Sequence, residues 1–374
     1  MIERAPLASA ENRPVDGKDI RKILVWSGGG GIGDLLMLAP ALRSIAHNFP
    51  DASYTLLMPA ASRDLVPLLP LGKLDLKILN YDPRAEHRDL SSKLKLFMRL
   101  RKDRYDLSFI PARGEAMREE SVISLIVGAR HRLGFSKERT GLCNTARTEL
   151  QDDVPIADQN LNLLKAAGLE TDGSPLGLAF RQSHRDFARD LLESPSRDLA
   201  EAVVTIHPGA AWNAESKCWP MANYVELTGR IVRRWKAKAV ILGSPKEKGP
   251  AGIFGERLDH SSVLNLVGKT DIPQMASLIS ASSLFVGNDS GPMHIALCLR
   301  VPTVALFGPT SPRQIIPSGA VCKVLTRNLP CSPCYLHHPS SRPDCRDARC
   351  LREITVDEVM AEVEKILGGS WREC

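Results

Sequence analysis

Short apolar runs alternate along this chain with stretches of helical periodicity, and that alternation constrains the fold more than any other feature. Ile23–Ser27 reads as a buried parallel strand, and Tyr54–Met58, Leu74–Leu79 and Leu107–Ile110 continue the series of strands. Helical patterns lie between or beside them at 34–49, 88–102 and 116–127. A continuous apolar run suits a parallel strand covered on both faces, and parallel neighbours need a helical crossover. A second series follows the charged helical stretch 181–194 and the linker Ser194–Asp198. Its strands are Ala202–Ile206, Ala239–Leu242, Leu284–Val286 and Thr303–Phe307, with helices at 221–235, 272–282 and 291–299 and a last one at 355–367. The pattern predicts an α/β protein of two doubly wound, Rossmann-like halves facing across a cleft. The expected organisation is a flexible lead-in over 1–20, one half over 21–195, a second over 196–350, and a C-terminal helix and tail over 351–374.

A length of 374 residues accommodates two such halves, and 43% hydrophobic content supplies both cores. No uncharged apolar stretch is long enough to cross a bilayer, and Met1–Lys22 has no apolar signal region. A cytoplasmic protein is expected, in which the nine cysteines are free, catalytic or metal-bound rather than paired. The net charge is +6, and residues 95–147 alone carry 12 Lys and Arg against 6 Asp and Glu. That stretch fits an acidic substrate, an anionic membrane surface or nucleic acid, and equally a solvated helix face.

Gly28–Gly33 follows a strand and opens a helix. Its spacing fits a dinucleotide fingerprint, but the second strand ends in Leu57-Met58-Pro59 and brings no carboxylate for a ribose. The other reading is that the glycines turn the backbone so that Asp34 starts the helix at the crevice. There it is either a helix cap or a general base. In the second half, His207-Pro-Gly-Ala-Ala-Trp212 with Lys217 can seat a phosphate, or can simply join strand to helix. Gly287-Asn-Asp-Ser-Gly-Pro-Met-His294 is sharper. It places Asp289 and Ser290 at the start of a helix with Gly291 and Pro292 in its first turn, aiming free N–H groups at the crevice. His294, one turn in, faces the same cleft or is a satisfied half-buried histidine.

These blocks, with Pro40-Ala-Leu-Arg43, Lys217-x-Trp219-Pro220, Gly243-Ser-Pro and Phe307-Gly-Pro-Thr310, stand in the order found in glycosyltransferase family 9, the ADP-heptose:lipopolysaccharide heptosyltransferases, which the chain resembles from about residue 22 to 367. The resemblance implies a GT-B fold and inverting transfer of a heptose from ADP-heptose to a lipopolysaccharide core hydroxyl, without a catalytic metal or other cofactor. It makes Asp34 the base and Lys217 the cation on the diphosphate. Asp289 becomes the donor-sugar contact, Ser290 and Gly291 give backbone N–H groups to the phosphates, and His294 is a further donor-binding residue. Glu247 becomes the ribose contact, and Thr270 closes the segment bordering the adenine. The basic stretch would meet an anionic glycolipid at the inner face of the inner membrane, with Arg99, Arg130 and Arg132 as acceptor contacts and no role for nucleic acid. Ala210 and Ala211 depart from members that carry hydroxyls there. The alternatives are another nucleotide-sugar donor or a protein acceptor on the same fold, or a non-catalytic binding protein.

Cys331, Cys334, Cys345 and Cys350, with His337 and His338 between, have the spacing of a small metal knuckle, a candidate structural zinc or iron site. Similar cysteines occur in the resembling family, and in its autotransporter-modifying branch they hold iron. Four free thiols, or a disulfide, is the plain reading.

Overall fold

The computed structural model describes residues 12–27, 31–82, 86–111, 113, 116–137, 141–173, 176–193, 202–210, 214–259, 261–334, 345 and 347–369. The first half contains β1 (Lys22–Trp26), α1 (Ile32–Asn48), β2 (Ser53–Met58), β3 (Asp75–Asn80), α2 (Leu90–Lys102), β4 (Leu107–Ile110), α3 (Ala116–Val127), β5 (His131–Ser136), β6 (Ala146–Glu149), α4 (Ile156–Ala166) and α5 (Gln182–Leu192). The second contains β7 (Val203–His207), α6 (Ala214–Lys217), α7 (Met221–Trp235), β8 (Lys238–Ile241), α8 (Lys248–Arg257), β9 (Val263–Asn265), α9 (Ile272–Ser280), β10 (Leu284–Asn288), α10 (Gly291–Cys298), β11 (Thr303–Leu306), α11 (Pro312–Ile315), β12 (Cys322–Leu325), α12 (Arg349–Arg352) and α13 (Val356–Leu367).

Each half holds one six-stranded, all-parallel sheet. The orders are β3-β2-β1-β4-β5-β6 and β12-β11-β10-β7-β8-β9, which is one order used twice. In both, the chain runs outward from the first strand, returns, and continues on the other side. The crevice therefore opens between β1 and β4 in the first half and between β7 and β10 in the second. Ligands of open α/β sheets bind at that switch point, outside the C-terminal strand ends. The central strands are buried along nearly their whole length, as covered parallel strands must be.

The two halves are fastened to each other. One continuous apolar cluster runs from Leu35, Leu38 and Leu42 of α1 to Met293, Ile295 and Ala296 of α10 and Met275 and Ile279 of α9. The N-terminal ends of α1 and α10 meet directly. A Cβ placed on Gly33 would lie 2.6 Å from the His294 ring, and one on Gly291 would lie 3.0 Å from Ile32. A side chain at Gly33 would have to displace the His294 ring, and one at Gly291 would press on Ile32.

Three expectations need revision. The lead-in is held from Asn12 onward: Arg13 N–H donates to the Thr145 carbonyl, Val15 N–H to the Ala167 carbonyl, and Asn12 Oδ1 accepts from the Arg147 N–H. Residues 1–11 lie outside the described residues. Helix α5, expected to belong wholly with the first half, also packs on α9 of the second. Finally, the outer strands β5, β6, β9 and β12 and the helices α4 and α8 were not among the expected elements. Among the described residues, no helix is long and apolar enough to cross a membrane.

Candidate active site

Asp34 occupies the first turn of α1, just past the C-terminal end of β1. Its carboxylate therefore sits at the positive end of the helix and at the first crevice. Arg113, three residues beyond β4 on the opposite wall of that crevice, donates from Nη2 to Asp34 Oδ1 at 2.8 Å. The pair is half-buried, so the carboxylate is held in one orientation while remaining reachable. Arg113 carries no recognisable motif in the sequence; only the topology places it here. Gly28–Gly30, the start of the glycine cluster, lie outside the described residues.

The second crevice is built around Asn288 and Asp289 at the end of β10. Asn288 is fully buried and satisfied on both sides of its amide. Its Oδ1 accepts from Trp219 N–H at 3.0 Å and the Tyr224 hydroxyl at 2.9 Å, and its Nδ2 donates to the Pro208 carbonyl at 2.9 Å. It thus fastens the loop after β7 and the Lys217–Trp219 segment to one strand end. A fully satisfied buried amide specifies one arrangement of the loops it joins.

Asp289 is buried and receives Lys217 Nζ and Thr310 Oγ1 on one oxygen, Oδ2, each at 2.8 Å. Its other oxygen faces His294 Nε2 at 3.7 Å. Burial alone raises the Asp289 carboxyl pKa, but the Lys217 ammonium and His294 outweigh it and hold the group far below the usual carboxylate range. The carboxylate is thus held in its ionised form, with Lys217 as its counter-charge.

Ser290 caps α10 by position, but its hydroxyl turns to His207 Nδ1 at 3.1 Å. His207 is buried, and burial pushes its pKa below the usual value while Glu247 opposes the shift. Its Nδ1 is the ring atom that meets the Ser290 hydroxyl, and its Nε2 faces Glu247 Oε1 at 3.8 Å. Glu247 lies directly over Gly209, where a Cβ would fall 1.4 Å from Oε1. The other oxygen, Oε2, accepts the Ser244 N–H. Oε1 is buried and accepts no hydrogen bond from the described residues. Thr270 is half-buried and ends the loop joined to this wall by the Gly268 N–H and Gly243 carbonyl at 2.8 Å.

The structure therefore brings together Lys217, Asp289, Ser290, Gly291, His294 and Glu247, with Thr270 bordering them, and sets Asp34 across the α1–α10 contact. It adds Arg113, which no sequence motif contains, and gives contacts to His207, Asn288 and Thr310, which the motifs include without a role of their own. Ala211, Trp212 and Asn213 lie outside the described residues.

The proposed acceptor arginines are not brought to the crevice. Arg99 is in the last turn of α2, Arg130 precedes β5, and Arg132 is near its start, so all three lie toward the N-terminal strand edge. Arg132 donates from Nε to the Cys143 carbonyl at 2.7 Å and from Nη1 to the Ala129 carbonyl at 2.8 Å. Its guanidinium braces the backbone of these two segments.

The described residues do not support a structural zinc or iron at the cysteine cluster. Cys331, Cys334, Cys345 and Cys350 are free thiols, and His337 and His338 lie outside the described residues. Burial first, then the neighbouring Cys334 and Cys345, push Cys350 up to about 11, and Cys334 is also raised. Among the described residues no three His, Cys, Asp or Glu side chains form a group that could hold a metal ion.

The sequence profile of glycosyltransferase family 9 (heptosyltransferase) matches residues 93–342. Lipopolysaccharide heptosyltransferase 2 of Salmonella typhimurium is 28% identical over 322 residues, covering 81% of this chain and 87% of that protein. Among solved structures, ADP-heptose lps heptosyltransferase II of E. coli superposes with a TM-score of 0.67 at 23% identity, covering 93% of this chain and 99% of that one. A family 9 glycosyltransferase from Veillonella parvula gives a TM-score of 0.75 at 21% identity, covering 94% and 98%. The two facing sheets are thus the GT-B arrangement of these enzymes, and the chain belongs to glycosyltransferase family 9, the heptosyltransferases.

Proposed function

We propose that the protein transfers a heptose from ADP-heptose, with inversion at the anomeric carbon, to a sugar hydroxyl of a lipopolysaccharide core acceptor. The observation that carries this reading is the pairing of two opposed switch-point crevices. One holds an oriented carboxylate and the other a buried cation beside a helix N-terminus. Asp34 takes the proton of the acceptor hydroxyl, whose oxygen attacks the anomeric carbon from the face opposite the departing phosphate. The bond from that carbon to the phosphate oxygen breaks, and ADP leaves with the electron pair.

The leaving diphosphate needs charge stabilisation at the moment the bond breaks. Lys217 and the free N–H groups of Ser290 and Gly291 supply it, a role that a divalent cation fills in other transferases. Asp289, with Thr310 and His294, holds Lys217 in place and offers its rim to the sugar. Glu247 Oε1, buried and without a donor, is matched to a ribose hydroxyl, which provides the proton the oxygen lacks. Thr270 and Val267 border the base. Arg113 is both the partner that orients Asp34 and a cation for an anionic acceptor. This role replaces the one first given to Arg99, Arg130 and Arg132. The enzyme works on the cytoplasmic side of the inner membrane, where its acceptor is anchored.

Thermal shifts with ADP, UDP, GDP and NAD, each with and without EDTA, test the donor. A ligand at a hundredfold excess over its Kd adds about 2.7 kcal/mol of stability. Selective stabilisation by ADP, insensitive to EDTA and weakened in Lys217→Ala, is the expected result. Preference for UDP or GDP overturns the donor and leaves the fold. Response to NAD alone overturns the transferase reading of the site.

A further inference from the structure

The turn that carries Asp34 has little of its own to hold it. The cap of α1 is Gly31, which brings no side chain to the free N–H groups, and Gly33 stands immediately before Asp34. Glycine leaves a backbone free to take many conformations, so a first turn built this way depends on restraint from outside. Helix α10 supplies it. A Cβ on Gly291 would lie 3.0 Å from Ile32, and one on Gly33 would lie 2.6 Å from Cδ2 and 2.7 Å from Nε2 of His294. Arg113 acts on the Asp34 carboxylate, whereas these two contacts act on the backbone that bears it.

His294 also belongs to the donor crevice. Side chains on a helix lean toward its N-terminus, so a ring one turn into α10 is carried back toward Asp289. Its Nε2 stands 3.7 Å from Asp289 Oδ1, while Lys217 and Thr310 both occupy the other oxygen. One ring edge thus faces the donor carboxylate and the turn before Asp34 together. The residue is 8% exposed and borders a cavity of about 140 Å³ with Leu36, Met37 and Pro40 of α1 and Leu297 of α10. That cavity gives the ring space to shift, so Asp289 and Gly33 decide where it stands.

We infer that His294 is a positioning residue, which transmits the occupancy of the donor crevice through Gly33 to Asp34. A diphosphate on Lys217 and a sugar on Asp289 fix that carboxylate. The carboxylate fixes the ring, and the ring fixes the first turn of α1. The base is then aimed when a donor is in place, and the acceptor hydroxyl loses its proton beside a sugar that can receive it. The inference rests on the transferase reading and deepens it by assigning His294 to the orientation of the base.

Two measurements on the full chain test it. The first is amide hydrogen exchange in the first two turns of α1, where the Leu35 N–H bonds the Gly31 carbonyl, with and without saturating ADP. It requires no transfer. The expected result is exchange slowed about fivefold by ADP in the wild type and not slowed in His294→Ala. His294→Gln, whose amide reaches the position of Nε2, should restore most of the slowing. Slowing that persists in His294→Ala overturns the inference, as does a wild type in which ADP changes nothing there.

The second is transfer kinetics. His294→Ala and Gly33→Ala should each lower kcat about tenfold with KM for ADP-heptose nearly unchanged, and the double variant should lose no more than the worse single one. Additive losses, or a raised KM with kcat intact, overturn the inference and leave His294 as a donor contact. If Gly33→Ala fails to fold, the contrast between Ala and Gln at position 294 decides. A wild type that binds ADP and transfers nothing overturns the transferase reading, while the exchange data still decide the coupling. A chain that does not bind ADP overturns both.

Discussion

Arg113 Nη2 lies 2.8 Å from Asp34 Oδ1, and the two residues come from opposite walls of the first crevice. The contact joins the loop after β4 to the first turn of α1, so the orientation of the base depends on a residue 79 positions away. A general base acts only when aimed at the proton it removes, and a misplaced one loses most of its effect. Arg113→Ala should lower kcat at least tenfold and leave ADP affinity unchanged, because the donor binds in the other half. Titration with ADP alongside initial rates checks this. A matching loss in ADP affinity would show that Arg113 serves the donor.

Lys217 and Asp289 form a buried ion pair, and breaking it from either side leaves an uncompensated charge. Lys217→Ala should cost about 3–5 kcal/mol of folding stability in addition to its effect on ADP. Lys217→Met/Asp289→Leu should recover most of that stability while still failing to bind ADP. Denaturation curves for the three proteins separate the structural role of the pair from its role in binding.

Gly209 is the seat of the Glu247 carboxyl, and any side chain there displaces it. The displaced group is the far end of a flexible side chain, so the fold should tolerate the change. Gly209→Ala should weaken ADP about tenfold, or about 1.4 kcal/mol, with little change in thermal midpoint. Glu247→Ala should do the same, and the double variant should be no worse than either single one. Additive losses would show that the two positions act independently.

His207 couples the site to pH. Its folded-state pKa lies below the ordinary value of 6.5, chiefly through burial, so the unfolded chain binds the proton more readily. Stability should therefore fall as pH drops below about 6.5, with a slope of at most about 1.4 kcal/mol per unit for this one proton. Protonated Nδ1 also can no longer accept from Ser290. His207→Asn, which keeps an acceptor near Nδ1, should flatten the dependence between pH 7 and 5. The Asp289 carboxylate adds a separate loss, beginning only near pH 4, where the unfolded carboxyl starts to protonate. Thermal midpoints across that range, wild type against variant, measure the difference.

The sequence made the central strands legible because they are buried on both faces and read as unbroken apolar runs. Of the outer strands only Asp75–Asn80 was, although it is an edge strand with no fully buried residue. His131-Arg-Leu-Gly-Phe-Ser136 and Ala146-Arg-Thr-Glu149 mix charge with apolar residues because they approach or form a sheet edge, where one side meets solvent. Cys322–Leu325 at the far edge of the second sheet is half-buried throughout. The same contrast holds at the site. Asp289, Ser290 and Gly291 were visible because a strand end, a helix start and a glycine coincide in eight residues. Arg113 was not, since its function arises only when β1 and β4 become neighbours. Charge density in the sequence misled as well. The basic stretch suggested acceptor arginines, but Arg132 braces backbone carbonyls and Arg99 belongs to the outer helix layer.

The most direct test of the central claim is transfer itself. Purified protein is incubated with ADP-heptose and a lipid-linked core acceptor in excess EDTA, and the acceptor is followed by mass spectrometry for wild type and Asp34→Asn. The account predicts addition of one heptose by the wild type despite EDTA. It also predicts a loss of at least a hundredfold in Asp34→Asn, with unchanged affinity for ADP. Transfer that stops in EDTA, or that survives in Asp34→Asn, would contradict it.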